Sequence, residues 1–550
     1  MRRGGRSSAA SWVLAAIPLA FLAVFFVWPV GRILTRGLRP GGQWDVGAFT
    51  DVLGQGRIRS IVWFTVWQAV ASTVLTLALA LPGAYVLARV RFRGRSLVRA
   101  AVTVPFVLPT VVVASAFLGI AGPRGLFTGA GDLRGTVWAI LLAHAFFNYA
   151  VVIRVVGGLW SHLDPALEDA ARTLGATRWR AFREVTWPLL RPAVVAASSI
   201  VFLFCFTSFG VIVLLGGLSH STVEAEIYRA AVTRLDLRTA SVLAVVQLVT
   251  VVVLLVVFAR ATERGTGARR LLAVADVARP PASVRERLFL RANLVAMAVL
   301  LSGPLAVLVE RSFHTTDGYG LAWYRALSSI PARSALFVPP LEAVRNSLLI
   351  ALAATVIAII VGGCAAFAVA GRGRSPRGGR GLDLLLMLPL GTSAVTVGFG
   401  FLIALDRPPL DLRASWWIVP LAHALVAVPF VVRIVVPVLR AIDPRMREAA
   451  SSLGAAPGRV VREIDVPIVR RAVLVAAGFA FAISLGEFGA TAFIARADAP
   501  TVPTAIFRSL SQPGAANFGS AMAMSTILMV LTGTSILVIE RLRLPGADTF

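Results

Sequence analysis

The chain has 550 residues, 57% of them hydrophobic, and a formal net charge of +27 from 54 basic and 27 acidic residues. A mean hydropathy of +0.81 is too apolar for a soluble multidomain protein of this length and points to a membrane protein. Every basic residue is an arginine. A Walker A loop needs a lysine to reach nucleotide phosphates, so if ATP drives this protein another subunit must hydrolyse it.

Read from the N-terminus, Met1-Arg2-Arg3 precedes an apolar run from Trp12 to Val30. The run is long and lacks a small-residue cleavage site, so it reads as an uncleaved signal anchor and first span, at 11–31. Further apolar runs follow at 62–88, 100–120, 136–157, 193–216, 239–259, 288–308, 346–370, 382–405, 415–439, 472–494 and 518–539. Each is close to the ~20 residues that carry a helix across the hydrocarbon core. No alternating barrel pattern is visible, so about twelve transmembrane helices are expected.

Arginine placement orients the spans. Connectors after even-numbered spans are dense in it: Arg89, Arg91, Arg93, Arg95 and Arg99 after the second, Arg372, Arg374, Arg377 and Arg380 after the eighth. The central linker adds Arg260, Arg264, Arg269, Arg270, Arg279, Arg285, Arg287 and Arg291, whereas opposite connectors hold only Arg124 and Arg134, or Arg407 and Arg413. The first outer loop (Arg32, Arg36, Arg39, Arg57, Arg59) is a mild exception. Positive residues mark the cytoplasmic side, which places both termini in the cytoplasm. The basic excess is then a topology signal, and nucleic-acid binding is not expected.

The chain also repeats itself. Residues 164–193 read DPALEDAARTLGATRWRAFREVTWPLLRPA, and residues 443–472 read DPRMREAASSLGAAPGRVVREIDVPIVRRA. One offset of 279 aligns Asp164 with Asp443, Ala170-Ala171 with Ala449-Ala450, Gly175 with Gly454 and Pro188 with Pro467. The same offset pairs His144 with His423, Arg154 with Arg433, and SFG at 208–210 with EFG at 487–489. Two parallel six-span halves follow, 1–260 and 288–550, joined by a cytoplasmic Gly/Arg/Pro-containing linker at 261–287. Both polar inserts fall on the arginine-rich side.

Local chemistry explains the inserts. Asp-Pro opens a helix, and Glu168, Asp169 or Glu448 sit near its N-terminus, where the helix dipole favours a carboxylate. Paired alanines allow close approach by a partner, and Gly175 or Gly454 ends the helix as a C-terminal glycine does.

These inserts resemble the EAA loop of binding-protein-dependent ABC importer permeases: Asp169-Ala170-Ala171…Gly175…Pro188 and Glu448-Ala449-Ala450…Gly454…Pro467. The first copy has Asp169 where the family pattern has Glu. The resemblance implies an all-α permease of the type I importer fold, whose insert is the coupling helix that docks on an ATPase subunit. It implies two ATPase copies, an extracytoplasmic substrate-binding protein and residence in a bacterial cytoplasmic membrane. No cofactor is expected on this chain, ATP and Mg being held by the partner, and no catalytic residue. SLGEFGATAF (484–493) and TVPTAIFRSL (501–510), with FTSFGVIVLLGG (206–217) and STVEAEIYRA (221–230) in the first half, look like the ferric-iron and thiamine importers.

Candidate pathway residues are Ser208, Phe209, Glu487 and Phe488. Glu487 stands about halfway along the expected eleventh span, where a carboxylate faces a cavity or a partner. It would either touch a cationic substrate or hold helices together, and its repeat partner Ser208 favours the second role. His144 and His423 are symmetric but lack the further ligands a metal needs, so no metal site is expected and helix packing is. Arg154 and Arg433 read as snorkelling residues near span ends. Cys205 and Cys364 read as packing residues, and Asn148-Tyr149 is given no role. An ion-coupled transporter with a 6+6 repeat is the alternative, with Glu487 as its one plausible relay.

Overall fold

The computed structural model describes residues 14–39, 43, 45, 47–122, 135–217, 219–263, 277–330, 336–370, 376–408 and 410–542. The start of the expected signal anchor lies outside these residues, as do Arg124, Arg134, Arg264, Arg269, Arg270, Arg372 and Arg374. Helix dominates what is described. The strand pair His314–Thr315 and Gly318–Tyr319 is a short antiparallel hairpin.

Among the described residues, 10 helices are long and apolar enough to cross a membrane. An eleventh span is a bent pair, Arg95–Val107 and Thr110–Ala121, which turn by 101° at the break. Pro109 explains it: the residue before a proline avoids the helical region, and Leu108 is extended at φ −66°, ψ 140°. The run expected at 382–405 is likewise broken, into Pro376–Met387, a 3-10 turn at Pro389–Gly391, and Ala394–Ala404. There Thr392 is extended, and the Ser393 hydroxyl accepts from the Thr396 N–H at 3.3 Å to start the new helix. The third run of each half is therefore a pair of short helices rather than one rod.

Two compact units emerge from the packing. One comprises Met1–Val52, Ile227–Leu248 and Leu321–Phe550; the other comprises Leu53–Glu226 and Val249–Gly320. In the second, Gly56–Arg89 packs on Val137–Val152 and on Trp187–Phe206, and Val284–Phe313 packs on Thr110–Ala121. In the first, Pro340–Ala370, Ile418–Ala441 and Val466–Gly486 pack on one another, and Trp28–Leu38 lies against Ala394–Ala404. Each unit thus pairs the core spans of one half with the first span of the other.

Small residues allow the close contacts. Pro340–Ala370 buries Ala343, Ser347, Ala351, Ala354, Ala358 and Gly362, and a Cβ on Gly362 would come within 2.8 Å of the Val431 side chain. With no hydrophobic drive between helices in lipid, such faces supply the packing. Helix ends are closed by charge: Arg95 donates to the Leu87 carbonyl at 2.7 and 2.9 Å and to that of Ala88 at 3.1 Å. Arg99 adds a bond to Leu87 at 3.1 Å, so guanidinium groups cap the free carbonyls of Gly56–Arg89.

Candidate coupling loops and pathway residues

Each polar insert folds as a short exposed helix with the same start and the same stop. The Asp164 carboxylate accepts from the Ala166 N–H at 2.9 Å, and that of Asp443 accepts from the Arg445 N–H at 2.9 Å. The helices run Ala166–Thr173 and Pro444–Ser452, and neither buries a residue. Glu168 and Asp169 lie in the first turn of the former, where the free N–H groups favour negative charge; Glu448, expected at the same place, lies beyond the first turn of Pro444–Ser452, which holds no acidic residue.

At the other end the two copies make the same pair of bonds. The Gly175 N–H donates to the Arg172 carbonyl at 3.0 Å and the Ala176 N–H to that of Ala171 at 3.1 Å; Gly454 to Ser451 and Ala455 to Ala450 measure 3.1 and 3.0 Å. This bond pair is the Schellman motif, which requires a left-handed residue. Gly175 sits at φ +92° and Gly454 at φ +84°, with nothing within 4 Å of a Cβ built on either. Glycine is needed here for backbone conformation, not for space. Ala171 and Ala450, the second alanine of each pattern, supply the carbonyl that closes the turn.

The chain then re-enters the bilayer. Short helices Arg178–Ala181 and Pro457–Val460 lead into π-turns at Phe182–Thr186 and Val461–Asp465, followed directly by Trp187–Phe206 and Val466–Gly486. The Trp187 N–H reaches back five residues to Phe182, and that of Val466 to Val461. Pro188 and Pro467 stand at the first turn of the helices that follow, where a missing N–H costs nothing.

Side chains fasten the loops to the bundle. Arg89 donates to the Leu163 carbonyl at 3.1 Å just before the first loop helix. In the first copy the Thr186 hydroxyl donates to the Glu168 carboxylate; in the second Arg447 Nε donates to Asp465 Oδ1 at 2.7 Å. The central linker is also tied down. Arg279 donates to both oxygens of Glu286 at 2.9 and 3.1 Å, which holds its guanidinium above the ordinary arginine pKa. Arg178 of the loop stands 3.8 Å from the same carboxylate.

Two residues that sequence reasoning passed over dominate the tips. Leu174 is 88% exposed and Leu453 is 89% exposed, each immediately before its glycine. They align at the same offset of 279 in the repeat, and that duplication was the available signal.

The candidate pathway residues occupy breaks rather than span centres. The expected runs 193–216 and 472–494 end as helices at Phe206 and Gly486, and short helices resume at Gly210–Leu215 and Thr491–Ile494. Glu487 is therefore the C-cap of Val466–Gly486, not a mid-span residue, in extended backbone at φ −70°, ψ 122°. Its Oε1 accepts from the Ala490 N–H at 3.0 Å, and its Oε2 accepts from the Thr491 N–H at 3.1 Å and hydroxyl at 2.7 Å. His423 Nε2 lies 3.3 Å from Oε2. The carboxylate caps the short helix that follows.

The histidines hold these breaks in place. His423 bonds the hydroxyls of Ser484 and Thr491 through its two ring nitrogens, both at 2.7 Å. His144 bonds Ser72 at 2.9 Å and Ser208 at 2.8 Å. Both rings are thus engaged, and among the described residues no group of three or more His, Cys, Asp or Glu side chains could hold a metal ion. Asn148 donates to the His144 carbonyl at 3.0 Å. Phe209 and Phe488 are buried, and Phe488 packs on Phe507 at a centroid distance of 5.3 Å. Arg154 and Arg433 are exposed, and Cys205 is buried.

Residues 80–266 match the family described as binding-protein-dependent transport system inner membrane component. The chain is 27% identical over 519 residues to a thiamine transport system permease protein of Salmonella typhimurium, covering 91% of each. It is 27% identical over 563 residues to the protein of that name in Brucella abortus, covering 99% of this chain and 97% of the other. A probable ABC transporter permease of Sinorhizobium fredii is 26% identical over 576 residues, with 99% and 98% covered. These relatives are transport permeases rather than enzymes, and none supports ion-coupled carriage. The multi-pass helical fold and these likenesses together support an ABC importer permease subunit, with residues 80–266 carrying the match to the binding-protein-dependent transport family.

Proposed function

We propose that the two polar inserts are the coupling helices of this importer and that the solute belongs to the thiamine class. Two copies of a separate ATPase would dock, one at Ala166–Thr173 and one at Pro444–Ser452. ATP and Mg would be held by those subunits, and no cofactor by this chain. A binding protein would deliver solute on the opposite face. Both termini would be cytoplasmic, on the side of the arginine-dense connectors, and the halves 1–260 and 288–550 would act as the two functional repeats.

One observation carries the docking reading. Two loop helices, 279 residues apart, each bury nothing, end in the same glycine-dependent turn and present a bare leucine at the tip. A single exposed leucine is ordinary; the same leucine, nearly nine-tenths exposed at the same position of both copies, supports a partner-facing role. Ser208, Phe209, Glu487 and Phe488 would lie along the pathway at the two helix breaks, with Glu487 and Ser208 shaping the breaks rather than binding solute. The names of the relatives support the substrate class, since several are thiamine permeases.

The test is reconstitution of the permease with its ATPase and binding protein in proteoliposomes, followed by uptake of labelled thiamine. ATP-dependent uptake is expected. Uptake of ferric iron in place of thiamine would overturn the substrate class, and uptake without the ATPase would overturn the docking reading.

A further inference from the structure

We propose that positions 168 and 186 in the first half, and 447 and 465 in the second, are equivalent clamps that pass the stroke of the ATPase into the fifth span of each half. The proposal rests on the docking reading above.

The two pairs superpose in the repeat: Glu168 aligns with Arg447 and Thr186 with Asp465, both at an offset of 279. In each copy the partners are 18 residues apart, joining the loop helix to the base of the span that follows. The chemistry of the two pairs is opposite. In the first copy the loop helix supplies the acceptor, Glu168, and the span base the donor, Thr186. In the second the loop helix supplies the donor, Arg447, and the span base the acceptor, Asp465. Both members differ between the halves while the contact between them is kept. Packing alone does not demand that, because either member changed singly would leave two carboxylates, or an arginine and a hydroxyl, facing each other.

Position strengthens the case. Both loop helices bury no residue of their own, so tethers of this kind must fix them to the bundle. The outer partner is half-buried while the inner one is enclosed: Thr186 is 2% exposed and Asp465 is 6% exposed. An enclosed charge loses heavily when its partner is removed. Each inner partner is the last residue of a π-turn, a feature that recurs at functional joints in helices. The helices beyond, of 20 and 21 residues, are levers of about 30 Å at ~1.5 Å per residue. They end at the breaks that hold Ser208 and Glu487. A push on either loop helix would therefore reach the break through one polar contact and one continuous helix.

Charge transplants between the halves test this. Thr186→Asp faces a carboxylate to Glu168, and Arg447→Glu faces one to Asp465. Each single variant, assembled with the ATPase and binding protein in proteoliposomes, should lower solute imported per ATP hydrolysed by about tenfold, within the usual range of coupling energies. Adding Glu168→Arg to the first installs the second half's pair; adding Asp465→Thr to the second installs the first half's pair. Both doubles should return to within about twofold of the unaltered assembly. Thr186→Val removes the donor without adding charge and serves if Thr186→Asp does not fold; it should lower the ratio in the same direction. The proposal is overturned if the ATPase stays bound and the singles keep the normal ratio, or if the doubles are as uncoupled as the singles. Absence of ATPase from the unaltered assembly would instead overturn the docking reading.

Discussion

At the residue scale, the glycines at 175 and 454 and the carboxylate at 487 do backbone work. A side chain at φ near +90° costs about 1–2 kcal/mol, and nothing around either glycine would relieve it. Replacing both, Gly175→Val with Gly454→Val, should leave the permease inserted in the membrane but uncouple it from ATP hydrolysis. ATPase assays with and without the binding protein check this, and normal transport would contradict it. Glu487→Gln leaves one acceptor oxygen where the carboxylate's two now serve the N–H groups of Ala490 and Thr491 and the Thr491 hydroxyl. Stability of the purified permease should fall by about 1–3 kcal/mol, read as a lower thermal midpoint. A raised KM for solute with an unchanged midpoint would instead place Glu487 in solute handling. The sequence marked Glu487 as unusual but misplaced it, because hydropathy runs on through 472–494. A break closed by a side-chain cap leaves no dip in an apolar run. Leu174 and Leu453 are hard to read for the opposite reason: a leucine closing a polar helix reads as part of a buried stripe until the fold shows it at the C-cap of a helix that buries nothing.

At the element scale, helix ends carry more information than helix middles. The ten rods follow from apolar length alone, which is why most of the expected spans appear near their expected bounds. Span starts at Arg178 and Pro457 were not legible from hydropathy, since helix continues past the apolar limit into the polar insert. The third run of each half, 100–120 and 382–405, was expected as a rod and is broken, at Pro109 and around Thr392–Ser393. The prolines were visible, but a proline in an apolar run can kink a helix or end it, and the neighbours decide which. The arginine caps on Gly56–Arg89 give a prediction. Arg95→Ala with Arg99→Ala frees the Leu87 and Ala88 carbonyls and should cost about 1.5–3 kcal/mol, as lost bonds to charged groups do. Faster hydrogen exchange confined to the last turn before Arg89 would register it; unchanged exchange there would contradict the capping role.

At the scale of the whole molecule, one fold is used twice with different local chemistry. His144 bridges Ser72 and Ser208, whereas His423 bridges Ser484 and Thr491 beside Glu487. The first loop carries Glu168 with Thr186 and the second Arg447 with Asp465. Linker contacts add to the difference, for Glu286 binds Arg279 and approaches Arg178 of the first loop. The repeat makes two equivalent loop helices legible in the sequence. It could not tell that their tethers differ, since paired changes look like ordinary divergence until the distances are known.

The central claim is that two ATPase subunits seat on these two helices. Native mass spectrometry of the tagged permease drawn gently from membranes tests it most directly. The unaltered chain should carry two ATPase copies, and Leu174→Asp with Leu453→Asp should carry none while remaining folded by thermal midpoint. An unaltered chain without ATPase, or a double variant that still holds both copies, would contradict the account.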